Sequence, residues 1–265
     1  MTGRLPDKVA IITGAGGGIC RGIAVCFARE GAHMVAADLN ESTAEETAAL
    51  VRQLGRQALV VKADVTLAAD VQRLVDQAIA HFGGVDMLLN GAGISRPVDF
   101  LQMTEAEWDA TVDTNLKSQF LCAQAVARWW VDNQRRGKIV NISSLEGLFP
   151  HPANVHYCVS KAGSRMLTQS LALALGPHRI NVNDIAPGII GAGLTARHMG
   201  NPEYVSTIPR KVPLGRAGTP DDVAGAAVFL ASDDADYITG ATITIDGGRL
   251  WASHWTSDYW AGHGA

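Results

Sequence analysis

Ser144, Tyr157 and Lys161 stand inside one eighteen-residue stretch, SLEGLFPHPANVHYCVSK, and their types suit proton transfer to or from a carbonyl oxygen. The run VHYCVSKAGSRMLTQSLALAL has few breakers and apolar residues every three or four places, which predicts a helix of about five turns over 155–175. Tyr157 and Lys161, four apart, then lie one above the other on one face. A phenol with a reference pKa of about 10 needs roughly 4 kcal/mol of preference for its anion to act as a base near neutrality. One ammonium about 4 Å away at an effective dielectric near 20 supplies about that much. Ser144 ends the apolar run GKIVNISS, from which a hydroxyl can reach the same substrate oxygen. A tyrosine and a lysine four apart are commonplace on helices, so the weight falls on what surrounds them.

Apolar strand-like runs alternate with helical patterns from end to end, the signature of a parallel sheet covered on both faces. Strands are predicted at Val9 to Thr13, His33 to Asp38, Ala58 to Lys62, Met87 to Asn90, Lys138 to Ser143, Ile180 to Ile185 and Thr242 to Asp246. Helices are predicted at about 18–30, 42–54, 68–82, 105–132, 155–175 and 220–231. One long irregular stretch, 187–219, carries four prolines and follows a strand end, the usual place for a substrate loop. After the first strand, Gly14, Gly16, Gly17 and Gly18 open a helix, where backbone amides and the helix dipole can meet a pyrophosphate. Asp38 ends the second strand some twenty residues on; its carboxylate can accept from both ribose hydroxyls and would repel a 2'-phosphate, so NAD is expected over NADP.

At 265 residues with 47% hydrophobic content, the chain can bury one large core, and a net charge of -4 argues against nucleic-acid and acidic-membrane partners. No apolar run approaches 18 residues and no signal segment opens the chain, so a cytoplasmic protein is expected. Cys20, Cys26, Cys122 and Cys158 form no C-x-x-C pair and the histidines no recurring ligand spacing, so neither disulfides nor a metal are expected.

Ser144, Tyr157-x-x-x-Lys161 and the glycine-rich turn together resemble the short-chain dehydrogenase/reductase family. The resemblance covers about residues 6–248 and implies a single-domain Rossmann-type doubly wound parallel sheet of about seven strands, transferring a hydride between NAD and a secondary alcohol or ketone. Thr13, Gly14 and Gly18 match the family's T-G-x-x-x-G-x-G, but Cys20 replaces its last glycine, which should shift the helix or crowd the cofactor's edge. Asp64 and Val65 match its adenine contacts, and Asn90, Gly91, Ala92 and Gly93 its N-N-A-G, with Gly91 replacing the second asparagine. Gly17, Ile19, Leu39, Ile190, Tyr157 and Lys161 are further implied cofactor contacts, Lys161 holding the ribose. Asn115 matches the asparagine that holds a water linking Lys161 to solvent. Pro187 and Gly188 match its P-G, but Ala192 stands where a threonine should bind the carboxamide, leaving Thr195 to substitute or the contact to be lost. Asp246, Gly247 and Gly248 complete a closing D-G-G.

The substrate pocket is expected from Ser95, Arg96, Leu145, Glu146, His151, Asn154 and the loop from Ile189 to Arg210. Its polar first half, with PHPANVHY resembling bacterial glucose dehydrogenases of the family, points to a sugar or polyol. Two alternatives stay open: a 3-oxoacyl thioester reductase, and a catalytically silent NAD-binding sensor or scaffold. Residues 249–265 form an aromatic tail with Trp251, Trp255, Tyr259 and Trp260, expected to cover the pocket or a neighbouring subunit. The resemblance implies a homotetramer, or a dimer, built through the helices at 105–132 and 155–175, with Trp129 and Trp130 either at that interface or in the core.

Overall fold

The computed structural model describes residues 3–252. Trp255, Tyr259 and Trp260, and with them most of the aromatic tail, lie outside the described residues. Seven strands form one sheet in the order β3-β2-β1-β4-β5-β6-β7, every neighbouring pair parallel. They are β1 Val9–Thr13, β2 His33–Asp38, β3 Ala58–Lys62, β4 Met87–Asn90, β5 Gly137–Ile142, β6 Ile180–Pro187 and β7 Thr242–Ile245. All residues of β1, β4 and β5 are buried, as a sheet covered on both faces requires and as their unbroken apolar runs anticipate.

Helices α1 Gly18–Arg29, α2 Glu41–Gln53, α3 Ala68–Phe82, α4 Glu105–Val112, α5 Ser118–Asp132, α6 Val155–Leu175, α7 Ala196–Met199, α8 Pro202–Ser206, α9 Ile208–Lys211, α10 Pro220–Ala231 and α11 Arg249–Ala252 complete the chain. Local chemistry starts several of them: Asn40 accepts from Ser42 and Thr43, and Thr104 with Glu107 and Thr219 with Asp222 form reciprocal capping boxes. Alternate strand residues feed two core layers. Ile12, Met34 and Leu89 pack with Ile23 and Phe27 of α1 and Val228 of α10; Ile11, Leu88 and Ile139 pack with Leu74 of α3 and Trp130 of α5. Trp130 is a core residue, with Nε1 donating to the Val85 carbonyl at 2.7 Å and its ring lying where a side chain at Gly137 would go. Its neighbour Trp129 is partly buried against the same core layer, with the Arg135 guanidinium over its ring.

Two expectations change. The predicted helix over 105–132 is interrupted at Asp113–Lys117 by a π-helical turn between α4 and α5, a widening that apolar periodicity does not register. The stretch 187–219 is not irregular throughout, because α7, α8 and α9 occupy much of it. Its base is closed by a bridge between Ile190 and Gly218, and the Leu214 amide donates to the Gly247 carbonyl. The segment is a folded flap hinged beside the closing D-G-G.

Candidate active site

Because every strand is parallel, all their carboxyl ends share one edge, and the chain departs in opposite directions from β1 and β4. A ligand crevice belongs at that switch point. A cavity of about 690 Å³ lies there. The turn before α1 forms its floor: Gly14 (φ +69) lies so close to the Ala92 backbone that a Cβ would approach it to 2.8 Å, and Gly18 (φ +57) meets Gly193 of the flap equally tightly. At Gly17 a Cβ would meet nothing within 4 Å. No acidic residue occupies the first turn of α1, so no carboxylate of the helix itself competes for its amides. Asp38 braces this turn, accepting from the Gly16 amide at 2.8 Å and the Asn40 amide at 2.9 Å, while Arg21 donates to the Gly16 carbonyl at 2.6 Å. Both carboxylate oxygens retain acceptor capacity toward the cavity, which Asp38 lines.

Leu39, Asp64, Val65, Ala92, Gly93, Pro187, Gly188, Ile190 and Ile19 line the same cavity. Asn90 does not. As the last residue of β4 it is 2% exposed and turns into the sheet's packing layer, where its amide donates to Asn141, its register partner on β5. Arg96, expected at the substrate, lines this larger cavity as well.

Ser144 and Tyr157 line both this cavity and a second one of about 340 Å³ that opens beside it. They therefore stand on the wall between the two. Lys161 reaches the larger cavity from one turn further along α6, its Nζ donating to the Ile142 carbonyl at 2.9 Å. Burial pushes the Tyr157 phenol up to about 12, opposed by hydrogen bonding with Ser144. Burial pushes the Lys161 ammonium down to about 8, opposed by the buried Asp184 carboxylate. The lysine thus does not bring the phenol toward neutrality in this geometry: its Nζ lies 5.7 Å from the ring centroid and is engaged by a backbone carbonyl. Asp184 was not singled out by sequence; it is held by the Ser143 amide at 3.0 Å and hydroxyl at 2.6 Å, directly behind Ser144.

Asn115 lies in the π-helical turn, fully buried, and lines neither cavity. Its Oδ1 accepts from the Ile94 amide at 2.8 Å, and its Nδ2 donates to the Ile94 carbonyl and Ser160 hydroxyl, both at 3.0 Å. A Cβ placed on Gly93 would lie 3.3 Å from Asn115 Oδ1 and 3.4 Å from Lys161 Nζ, so the two polar ends converge over that glycine.

The smaller cavity is lined by Ser95, Glu146, His151 and Asn154, by Leu194, Thr195, Arg197, His198, Tyr204 and Lys211 of the flap, and by Phe149 and Arg249. Asn154 organises the first group by donating to Ser95 at 2.9 Å and Glu146 at 3.1 Å. Lys211 and Arg249 lie outside the span foreseen from sequence. Arg249 follows the closing D-G-G, and proximity to that motif was the available signal.

The sequence model of the family described as enoyl-(acyl carrier protein) reductase matches residues 14–249. This chain belongs to the short-chain dehydrogenase/reductase family. Among its curated relatives, galactitol 2-dehydrogenase of Agrobacterium fabrum is 40% identical over 94% of this chain and all of its own length. The 3-oxoacyl-[acyl-carrier-protein] reductase FabG of Thermotoga maritima is 37% identical over 93% of this chain and 99% of its own. A solved structure from Agrobacterium tumefaciens, named for 2-deoxy-D-gluconate 3-dehydrogenase and holding NADP, superposes with a TM-score of 0.86 at 35% identity over 93% of this chain and 98% of that one. The chain is a short-chain dehydrogenase/reductase acting on a hydroxyl or keto group with a nicotinamide cofactor.

Two departures from the family's pattern meet in space in this short-chain dehydrogenase/reductase. Cys20 lines the larger cavity, and its Sγ occupies the space that a side chain at residue 91 would fill, where the chain has glycine. Burial pushes the Cys20 thiol up to about 12, so it is packing rather than a thiolate. Thr195 lines both cavities, a turn of chain beyond Ala192.

Proposed function

We propose that the chain oxidises a secondary alcohol of a small polyhydroxylated compound, a sugar or polyol, with NAD, and catalyses the reverse reduction. The observation that carries this reading is the position of Ser144 and Tyr157 on the wall between a dinucleotide-sized cavity and a small, polar one. The glycine turn, Asp38, Asp64 and the Ala92–Gly93 segment fit a dinucleotide, with the backbone open at Gly17 and an acceptor at the ribose end. The cofactor supplies a hydride acceptor or donor; the chain supplies position and proton transfer. Tyr157 exchanges the proton of the substrate hydroxyl, Ser144 polarises its oxygen, and Lys161 holds a positive charge beneath the tyrosine. Asn115 fixes the Ile94 backbone beside Gly93 and Lys161. Thr195 takes the carboxamide-binding role vacated at Ala192.

NAD is preferred because Asp38 would face a 2'-phosphate with like charge, and the nearest guanidinium, Arg21, is committed to Gly16, Thr43, Thr47 and Glu46. Ser95, Glu146 and Asn154 favour a hydroxylated substrate over a long acyl chain. The FabG relative keeps 3-oxoacyl thioester reduction as a second reading. Exposed Phe120 of α5 and Val159, Met166 and Leu173 of α6 support assembly of copies through these helices; light scattering that reads a monomer at micromolar concentration would remove that part of the reading. Among the described residues, no helix is long and apolar enough to cross a membrane.

The test is cofactor reduction across sugars, polyols, simple secondary alcohols and hydroxyacyl thioesters, with NADP in parallel and Tyr157→Phe as the blank. Turnover of polyols with NAD, lost in the variant, supports the reading. A thioester as the best substrate would replace it, and cofactor binding without turnover of anything would favour the sensor alternative.

A further inference from the structure

From the charges around the smaller cavity, we infer that its substrate is an anionic polyhydroxy compound, carrying a carboxylate or a phosphate ester at the end remote from the reacting hydroxyl. This rests on the dehydrogenase reading above and narrows its substrate. Three permanent cations line the cavity, Arg197 of α7, Lys211 of α9 and Arg249 of α11, against one carboxylate, Glu146. Among the described residues, none of the three has a carboxylate within ion-pairing distance. Aromatic and imidazole groups support them instead. Lys211 Nζ lies 5.7 Å from the Tyr204 ring centroid, Arg249 lies 5.8 Å from that of Phe149, and Arg197 Nε donates to His198 Nε2 at 3.0 Å. His198 in turn packs on Tyr204 with centroids 5.2 Å apart. The chain Arg197, His198, Tyr204, Lys211 is therefore one connected unit, holding two positive charges without neutralising them.

The cations line only the cavity on the substrate side. The larger cavity touches none of them, so a cofactor phosphate is not what they await. The same cavity holds Ser95, Glu146 and Asn154, a group that can exchange hydrogen bonds with hydroxyls. The cations of the flap and α11, together with the hydroxyl-binding group Ser95, Glu146 and Asn154, suit a molecule with an anionic end and a hydroxylated end. Guanidinium groups suit a planar carboxylate or a phosphate in bidentate contact, and Arg197 keeps its two terminal nitrogens for that purpose. At about 340 Å³ the cavity matches a compound of a few carbons rather than a carrier-bound acyl chain.

The experiment compares D-gluconate and D-galactonate, glucitol 6-phosphate, and the neutral polyols D-glucitol and galactitol as substrates, with NAD, at low and high ionic strength. The expected result is a kcat/KM at least about tenfold higher for an anionic compound than for its neutral counterpart, an advantage that shrinks with salt. Whether the carboxylates or the phosphate ester lead identifies the anion. Arg197→Gln, Lys211→Gln and Arg249→Gln should each raise KM for the anion several-fold more than KM for the polyols; thermal melting confirms that the variants fold. Equal kcat/KM for charged and neutral compounds, or equal losses on both in the variants, would overturn the inference while leaving the polyol dehydrogenase reading intact. Should no hydroxy compound turn over, that reading fails on its own, and calorimetric titration of gluconate and glucitol into the protein with NADH present still decides: tighter, salt-sensitive gluconate binding upholds the anion site, and equal binding removes it. A 3-oxoacyl thioester as best substrate, with gluconate not bound, removes both.

Discussion

The two cavities that share the Ser144–Tyr157 wall are built by different means. The larger one is made of backbone: glycines at strand ends, a helix N-terminus, and side chains such as Asp38, Thr13 and Asn115 whose work is to hold main-chain amides in place. The smaller is made of side chains, drawn from the segment after β4, from residues 144–154, from α11 and from a flap of three short helices with a small apolar cluster around Ile189, Ile208 and Val212. Backbone recognition tolerates almost no variation at close approaches such as Gly14 against Ala92. Side-chain recognition tolerates a great deal. The difference teaches that affinity for the cofactor is fixed by the sheet, while choice of substrate is set by residues the sheet does not constrain.

Four substitutions would sharpen or break that contrast. Tyr157→Phe keeps the packing and removes the proton donor, so kcat should fall by about 10²- to 10⁴-fold with cofactor affinity unchanged, as read by steady-state rates and NADH fluorescence. A smaller fall would move the proton transfer elsewhere. Gly91→Ala drives a methyl into Cys20 Sγ and should cost about 1–3 kcal/mol of stability and weaken NADH binding in proportion. Adding Cys20→Gly should recover most of that loss, and simple additivity in the double-mutant cycle would show that the two do not share space. Asp38→Asn removes a charge near the ribose end and should narrow the NAD over NADP preference by roughly tenfold, about 1.4 kcal/mol; an unchanged ratio would mean the discrimination lies elsewhere.

The smallest effect concerns Asp184. Its carboxylate raises the Lys161 pKa against burial, which holds it down to about 8. Asp184→Asn removes that support, so Lys161 loses its proton at lower pH and the alkaline limb of the pH–rate profile should move down by less than about one unit. A limb that stays put would mean that Asp184 is already protonated at assay pH, since burial also raises its own pKa.

Much of this was legible in the sequence, for reasons that can be named. Strands and long helices show in unbroken apolar runs and 3.6-residue periodicity, so β1 to β4 and α3, α6 and α10 fall on the residues expected. The cofactor cavity was legible because close backbone approach demands glycine at fixed spacing. The π-helical turn at Asn115 was not, because one widened turn leaves the apolar pattern on either side intact. Asn90 was misplaced because a motif position says nothing of which way a side chain points; its pairing with Asn141 depends on the β4–β5 register. Lys211 and Arg249 escaped because they reach the substrate cavity from α9 and α11, whose approach is set by tertiary folding of the flap and not by any spacing along the chain.

The contact between Cys20 and Gly91 bears on how such a chain could have come to its present residues. A side chain larger than glycine at 91 and a sulfur at 20 demand the same space, so a lineage cannot hold both at once without repacking. These two sites, seventy-one residues apart in the sequence, share one volume, so a change of size at either is felt at the other.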